Sequence, residues 1–142
     1  MAVHVLNTPP PLIQVGISVG HSYLSRGLGG PPLMKTALID TGSSMTAIDL
    51  TITAALRPLR LGTVELTRPG GTMIRAPSYD IRLAFEPDPQ HARWWQYGRW
   101  FDLEAIETTP ASAGVDVLIG QDLLQKVVIS WDGPRWRLLL MY

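Results

Sequence analysis

The sequence predicts an all-β fold, and three observations carry that prediction. Twelve Pro and thirteen Gly punctuate short apolar segments, the punctuation of a β-rich chain. Several segments alternate apolar and polar residues with the period of two that a half-buried strand requires. Turn-forming clusters such as Arg68-Pro69-Gly70-Gly71 and Asp132-Gly133-Pro134 separate neighbouring segments at hairpin distances. The length of 142 residues implies a single domain spanning residues 1–142, large enough to bury a core unaided by metals or disulfides.

The elements follow in order. In residues 13–19, IQVGISV, Ile13, Val15, Ile17 and Val19 share one face of a strand. Residues 20–32 read as a Gly/Pro loop, and residues 33–39, LMKTALI, as a second strand paired with the first in a hairpin. Asp49 is placed to cap a short helix that ends before Pro58. Two strands flank the Arg68–Gly71 turn and make a hairpin over about 63–76, and a further strand, 79–85, alternates through Tyr79, Ile81, Leu83 and Phe85. Residues 86–100 form an excursion in which Asp88 and Pro89 open a short helix and Gly98 closes it. Strands at 101–107 and 115–119, one or two helical turns from Gln121, and a closing hairpin complete about eight strands and two or three short helices.

Composition narrows the function classes. Twelve Lys and Arg balance twelve Asp and Glu, and a neutral chain offers no electrostatic footprint for nucleic acid. The absence of Cys excludes disulfides, thiol chemistry and Cys-based zinc sites. His4, His21 and His91 have no carboxylates at ligand spacing, so no metal is expected. No apolar run approaches the ~18 residues of a membrane span, and the start has no basic segment of a secretory leader. A soluble, cytoplasmic protein is the expectation. Gly20-His21-Ser22-Tyr23-Leu24 lacks the final Gly of a nucleophile elbow, and the Gly27–Pro32 segment lacks the Lys and helix of a phosphate cradle.

The chemistry concentrates at residues 36–50, TALIDTGSSMTAIDL. An apolar run, Ala37-Leu38-Ile39, ends on Asp40, a residue depleted in strands. A carboxylate leaving a buried segment needs donors, a partner or a task. A turn aspartate bonding its own backbone is the simple explanation. Two later features argue for more: the Gly-tipped hairpin over 63–76, and Leu118-Ile119-Gly120-Gln121-Asp122-Leu123-Leu124, about 80 residues after Asp40.

Asp40-Thr41-Gly42, the hairpin and the Leu-Ile-Gly segment occur in the order found in aspartic proteases. Over residues 13 to about 140 the chain resembles the retropepsin-like members, cellular or bacterial rather than retroviral. The resemblance implies a closed or partly closed acid-protease barrel, equivalent to one pepsin-like lobe, with a flap hairpin and short helices. It makes Asp40 the catalytic carboxylate, supported by Thr41, Gly42 and Ser43. It makes Arg68, Pro69, Gly70, Gly71 and Thr72 the flap over the substrate, and Leu118, Ile119, Gly120, Gln121 and Asp122 the second loop, which crosses beside the first. By this resemblance the Thr41 hydroxyl bonds across to the opposing loop and Ser43 donates to the carboxylate. The flap tip has no Tyr, and Tyr79 lies too far along to stand in for one.

The resemblance also sets stoichiometry. Peptide hydrolysis of this type uses two adjacent carboxyls sharing a proton, since like charges about 3 Å apart do not both ionise, a rule for which aspartic proteases are the standard illustration. This chain contains one Asp-Thr-Gly; Asp132-Gly133, Asp116-Val117 and Asp122-Leu123 are not second copies. The implied enzyme is therefore a symmetric homodimer that pairs two copies of Asp40, acts on an extended peptide or protein, and calls for no cofactor. Ser44 and Gln121 stand where retroviral relatives carry an acid and an Arg, which suggests a neutral hydrogen bond in place of an ion pair. The apolar end, Leu138–Tyr142, is expected at the dimer surface, with the Pro-limited N-terminal segment at an edge. Trp94, Trp95, Tyr97 and Trp100 either cover one end of the barrel or form a substrate or partner surface. A non-catalytic module of this fold, for peptide binding or dimerisation, is the alternative function.

Overall fold

The computed structural model describes residues 3–6, 12–68, 70–85, 90, 93–96, 99–109, 114–132 and 137–141, and for 3–6, 131–132 and 137–141 it describes the backbone. The strands are β1 (Val3–Leu6), β2 (Leu12–Val19), β3 (Leu33–Ile39), β4 (Ala47–Asp49), β5 (Leu59–Thr67), β6 (Met73–Phe85), β7 (Phe101–Thr108), β8 (Val117–Ile119), β9 (Val128–Asp132) and β10 (Arg137–Met141). The helices are α1 (His21–Leu24), α2 (Leu50–Leu56) and α3 (Gln121–Leu124), with a 3₁₀ turn at Trp94–Gln96.

Six strands close a barrel in the order β2-β3-β8-β4-β7-β6, and the pairing of β6 with β2, from Val15 opposite Phe85 to Val19 opposite Ile81, shuts it. The period-two pattern decides what lies inside. Ile13, Val15 and Ile17 of β2, Ile81, Leu83 and Phe85 of β6, and Phe101, Leu103 and Ala105 of β7 are buried in one cluster. Ile52 of α2 and Leu123 and Leu124 of α3 join the same cluster. Closure removes the sheet edges along these six strands.

A second, three-stranded sheet has the order β1-β10-β9. Strands β9 and β10 pair antiparallel as expected of the terminal hairpin, whose turn residues Gly133 and Pro134 lie outside the described residues, and β1 stands at an edge of this sheet. Within its own chain the backbone of β10 pairs with β1 on one side and β9 on the other; Tyr142 lies outside the described residues. Among the described residues, the edges left for a partner's strand in this sheet are β1 and β9.

Three local differences from the sequence expectation have physical causes. The loop after β2 contains one helical turn, α1, in which the Ser25 N–H bonds the His21 carbonyl at 2.9 Å; four residues are too few for a helical period to register. Strand β4 was not anticipated, because three residues carry no pattern; it forms because β8 and β7 offer it hydrogen bonds on both sides. The strands expected on either side of Pro77 are one strand, β6. Pro77 sits opposite Thr63, next to a register shift between Arg60 and Gly62, the irregular setting in which a strand tolerates Pro. The caps expected for the 86–100 excursion, Asp88, Pro89 and Gly98, lie outside the described residues, as does Tyr97.

Within the excursion, Trp94 stacks on Trp100, with ring centroids 5.6 Å apart. Trp94 also lies against Gly16, where a Cβ would stand 2.1 Å from the indole. Trp94 therefore covers the outer face of β2. Among the described residues no helix is long and apolar enough to cross a membrane.

Candidate active site

Strand register places Asp40. β3 and β8 run parallel with Ile39 opposite Ile119, so the chain leaves both strands at one level and Asp40 emerges beside Gly120. The Asp40 N–H donates to the Ile119 carbonyl at 3.0 Å. Strand β8 is inserted between β3 and β4, so the segment joining those two strands, residues 40–46, must pass over the end of β8.

That crossing explains Gly120. A Cβ there would stand 2.4 Å from the Met45 carbonyl carbon and oxygen and 2.9 Å from the Thr46 nitrogen, distances that backbone atoms cannot yield to. Only a residue without a side chain lets the two loops touch. The contact is then bonded throughout. The Gln121 N–H donates to the Ser43 carbonyl at 2.8 Å and the Asp122 N–H to the Ser44 carbonyl at 3.2 Å. The Asp122 carboxylate accepts the Thr46 N–H at 3.0 Å and the Thr46 hydroxyl at 2.8 Å. The Thr46 oxygen in turn accepts the Gly120 N–H at 3.2 Å. Thr46 is fully buried, and sequence reasoning did not single it out. Its one signal was a Thr between Met45 and an apolar pair, which has no meaning until the crossing is known.

The Asp40 carboxylate is half-buried. Its Oδ1 accepts the Gly42 N–H at 3.0 Å, and its carbonyl accepts the Ser43 N–H at 3.2 Å. The Ser43 hydroxyl, expected to donate to Asp40, instead donates to the Met45 carbonyl at 2.7 Å, because the turn points it along the loop. A neutral Ser44–Gln121 bond is also not what forms: Gln121 Nε2 donates to the Thr41 carbonyl at 2.8 Å. Gly42 is not forced by geometry within one chain, since a Cβ would meet Asp40 Oδ1 at an ordinary 3.4 Å. Thr41 and Gly42 are exposed, and among the described residues the Thr41 hydroxyl has no hydrogen-bond partner.

The hairpin overhangs this loop. Residues Met73–Pro77 pair with β5 alone, before β6 reaches β7 at Ser78, so 63–77 is a two-stranded arm that projects from the barrel. Its inner face, Val64, Leu66 and Ala76, packs on Met45, Ala47, Ile106 and Leu118. The tip is closed by the Arg68 N–H to the Thr72 carbonyl at 2.8 Å and the Gly71 N–H to the Arg68 carbonyl at 3.0 Å. Gly70 and Gly71 hold φ of 97° and 87°, which side chains disfavour; Pro69 lies outside the described residues. Between arm and loop runs a groove of about 470 Å³, lined by Asp40, Ser43, Met45, Leu66, Arg68 and Ile74 among others. Tyr79 does not reach the groove. It packs against the barrel core, where burial and then the Glu107 carboxylate raise its phenol above the usual range.

The loop leaves toward α2 through Asp49, as the sequence anticipated. The Asp49 carboxylate accepts the Thr51 N–H at 3.2 Å and the Thr51 hydroxyl. The Thr51 hydroxyl is the main cause that holds the Asp49 carboxyl below its ordinary range, against the opposing effect of burial.

The fold resembles a known one. A retropepsin-like aspartic protease from Rickettsia conorii, known from its crystal structure, superposes with a TM-score of 0.54 at 12% identity, covering 99% of this chain and 92% of that one. No protein-family model and no curated protein sequence matches the chain. At that identity the likeness establishes the architecture, a retropepsin-like single-lobe barrel, and leaves the chemistry to be argued from the residues themselves.

Proposed function

We propose that the chain is an aspartic endopeptidase that works as a symmetric homodimer, in which Asp40 of each copy activates one water between them. The observation that carries this is the setting of Asp40. Asp40 stands at the loop crossing of a retropepsin-like barrel, its backbone N–H held by the Ile119 carbonyl and its carboxylate by the Gly42 N–H, and it opens into a groove beneath a projecting hairpin. Two further features support a second copy on the far side. Gly42 has no steric need to be Gly within one chain, and the exposed Thr41 hydroxyl is unused among the described residues. Both make sense where another loop approaches closely.

In this reading one Asp40 carboxylate takes a proton from the water as it attacks the peptide carbonyl, and the protonated Asp40 of the partner donates to the carbonyl oxygen. Residues 68–72 act as a flap that closes over an extended peptide, whose alternate side chains enter the apolar lining. The test is cleavage of a peptide library between pH 3 and 7, with pepstatin as a probe and Asp40→Asn as the control, alongside the mass in solution. Loss of all cleavage in Asp40→Asn and a dimeric mass are expected. Cleavage that survives the substitution, or a strict monomer that cuts, sinks the mechanism; a folded dimer that binds peptides and never cuts them favours the binding module.

A further inference from the structure

Resting on the protease reading above, we propose that Arg68 makes the groove charge-selective by pairing with an acidic side chain of the peptide near the scissile bond. Arg68 is the first residue past β5, and both of its backbone hydrogen-bonding groups are fixed by the turn, to Thr72 and Gly71. Its side chain is exposed and lines the same groove as Asp40. Among the described residues it makes no ion pair. The other arginine of the arm, Arg75, is engaged by Glu65 at 2.8 Å, and Arg82 lies near Asp102. Arg68 is thus a guanidinium at the site with no anion of its own among the described residues.

The charge count gives the direction. The described lining is apolar or hydroxyl-bearing apart from Asp40 and Arg68. Two Asp40 carboxyls sharing a proton carry one negative charge, and two Arg68 carry two positive ones, so the closed groove has a net positive charge. A bound peptide displaces water and strengthens whatever ion pair remains. The planar guanidinium fits a carboxylate with two parallel hydrogen bonds. Asp or Glu is favoured there, Gln is tolerated, and Lys is rejected by like charge.

The experiment compares wild type, Arg68→Lys and Arg68→Glu on one peptide library, then on matched Glu, Gln and Lys peptides. Wild type is expected to prefer Glu over Gln by about tenfold in kcat/KM, carried mostly by KM, with the preference shrinking as salt rises. Arg68→Lys keeps the order, and Arg68→Glu inverts it toward Lys. Binding of the same peptides to Asp40→Asn protein gives a readout that needs no catalysis, and melting temperatures confirm that each variant folds. Cleavage without charge preference, or with a preference that Arg68→Glu leaves unmoved, overturns the role of Arg68 while the protease reading stands. Arg68-dependent binding of acidic peptides without any cleavage upholds Arg68 and removes the protease reading. Peptides neither cut nor bound overturn both.

Discussion

Thr46→Val tests whether the loop crossing is what fixes the candidate site. The substitution keeps the shape of a fully buried side chain and deletes one oxygen. That oxygen donates to the Asp122 carboxylate at 2.8 Å and accepts the Gly120 N–H at 3.2 Å. Losing a hydrogen bond to a charged acceptor costs ~1.5–3 kcal/mol, and a buried backbone N–H left without an acceptor costs ~1–3 kcal/mol. The extra methyl group offsets part of this, so about 3 kcal/mol is expected. For a chain of this size that corresponds to a fall in Tm of about 10 °C. Thr46→Ser keeps the hydroxyl and removes a single buried methyl, for about 1 kcal/mol. Urea titration of the two variants, with Asp122→Asn and the double variant Thr46→Val/Asp122→Asn, completes a cycle whose coupling should exceed about 1 kcal/mol. If Thr46→Val is no more destabilised than Thr46→Ser, the hydrogen-bonded crossing does not hold the loops, and the account of how Asp40 is positioned fails.

Other expectations are independent of that network. The Asp49 carboxyl is held below its ordinary range chiefly by the Thr51 hydroxyl, so its charged form adds stability in full above the unfolded value near 4 and loses it as pH falls through the lower folded value. The stability gap between wild type and Asp49→Asn should therefore be constant from pH 7 to about 5 and shrink below about 4; a gap that widens on acidification contradicts the cap. Asp49→Ala, which removes the cap as well, should cost ~1 kcal/mol at neutral pH. Gly16→Ala places a methyl where the Trp94 ring lies, 2.1 Å from its nearest atom, so it should displace the ring and cost ~1–3 kcal/mol. An unchanged near-ultraviolet dichroism spectrum and an unchanged urea midpoint would contradict the packing of Trp94 on β2.

Much of the fold was legible in local pattern because the pattern is local chemistry. Ile13, Val15, Ile17 and Val19 declared a buried face by alternation, and each is 2% exposed or less. Gly70 and Gly71 announced a turn that demands positive φ, and Asp49 a cap. Asp40 stood out as a carboxylate at the end of an apolar run. Hidden features were those whose partner is remote in sequence. The Gln121 amide, expected to meet Ser44, bonds the Thr41 carbonyl 80 residues away, which the crossing presents to it.

By itself, then, the sequence determined an all-β chain with a Gly-tipped hairpin and an aspartate loop, since periodicity, glycine and proline act on their own neighbours. The tertiary structure alone decided that β8 inserts between β3 and β4, that Gly120 lies against the Met45 carbonyl, and that Thr46 joins Asp122 across 76 residues. It also decided that Arg68, with no anion paired to it among the described residues, lines the groove that holds Asp40. Such contacts depend on where strands stand relative to one another, and no residue carries that in its own side chain.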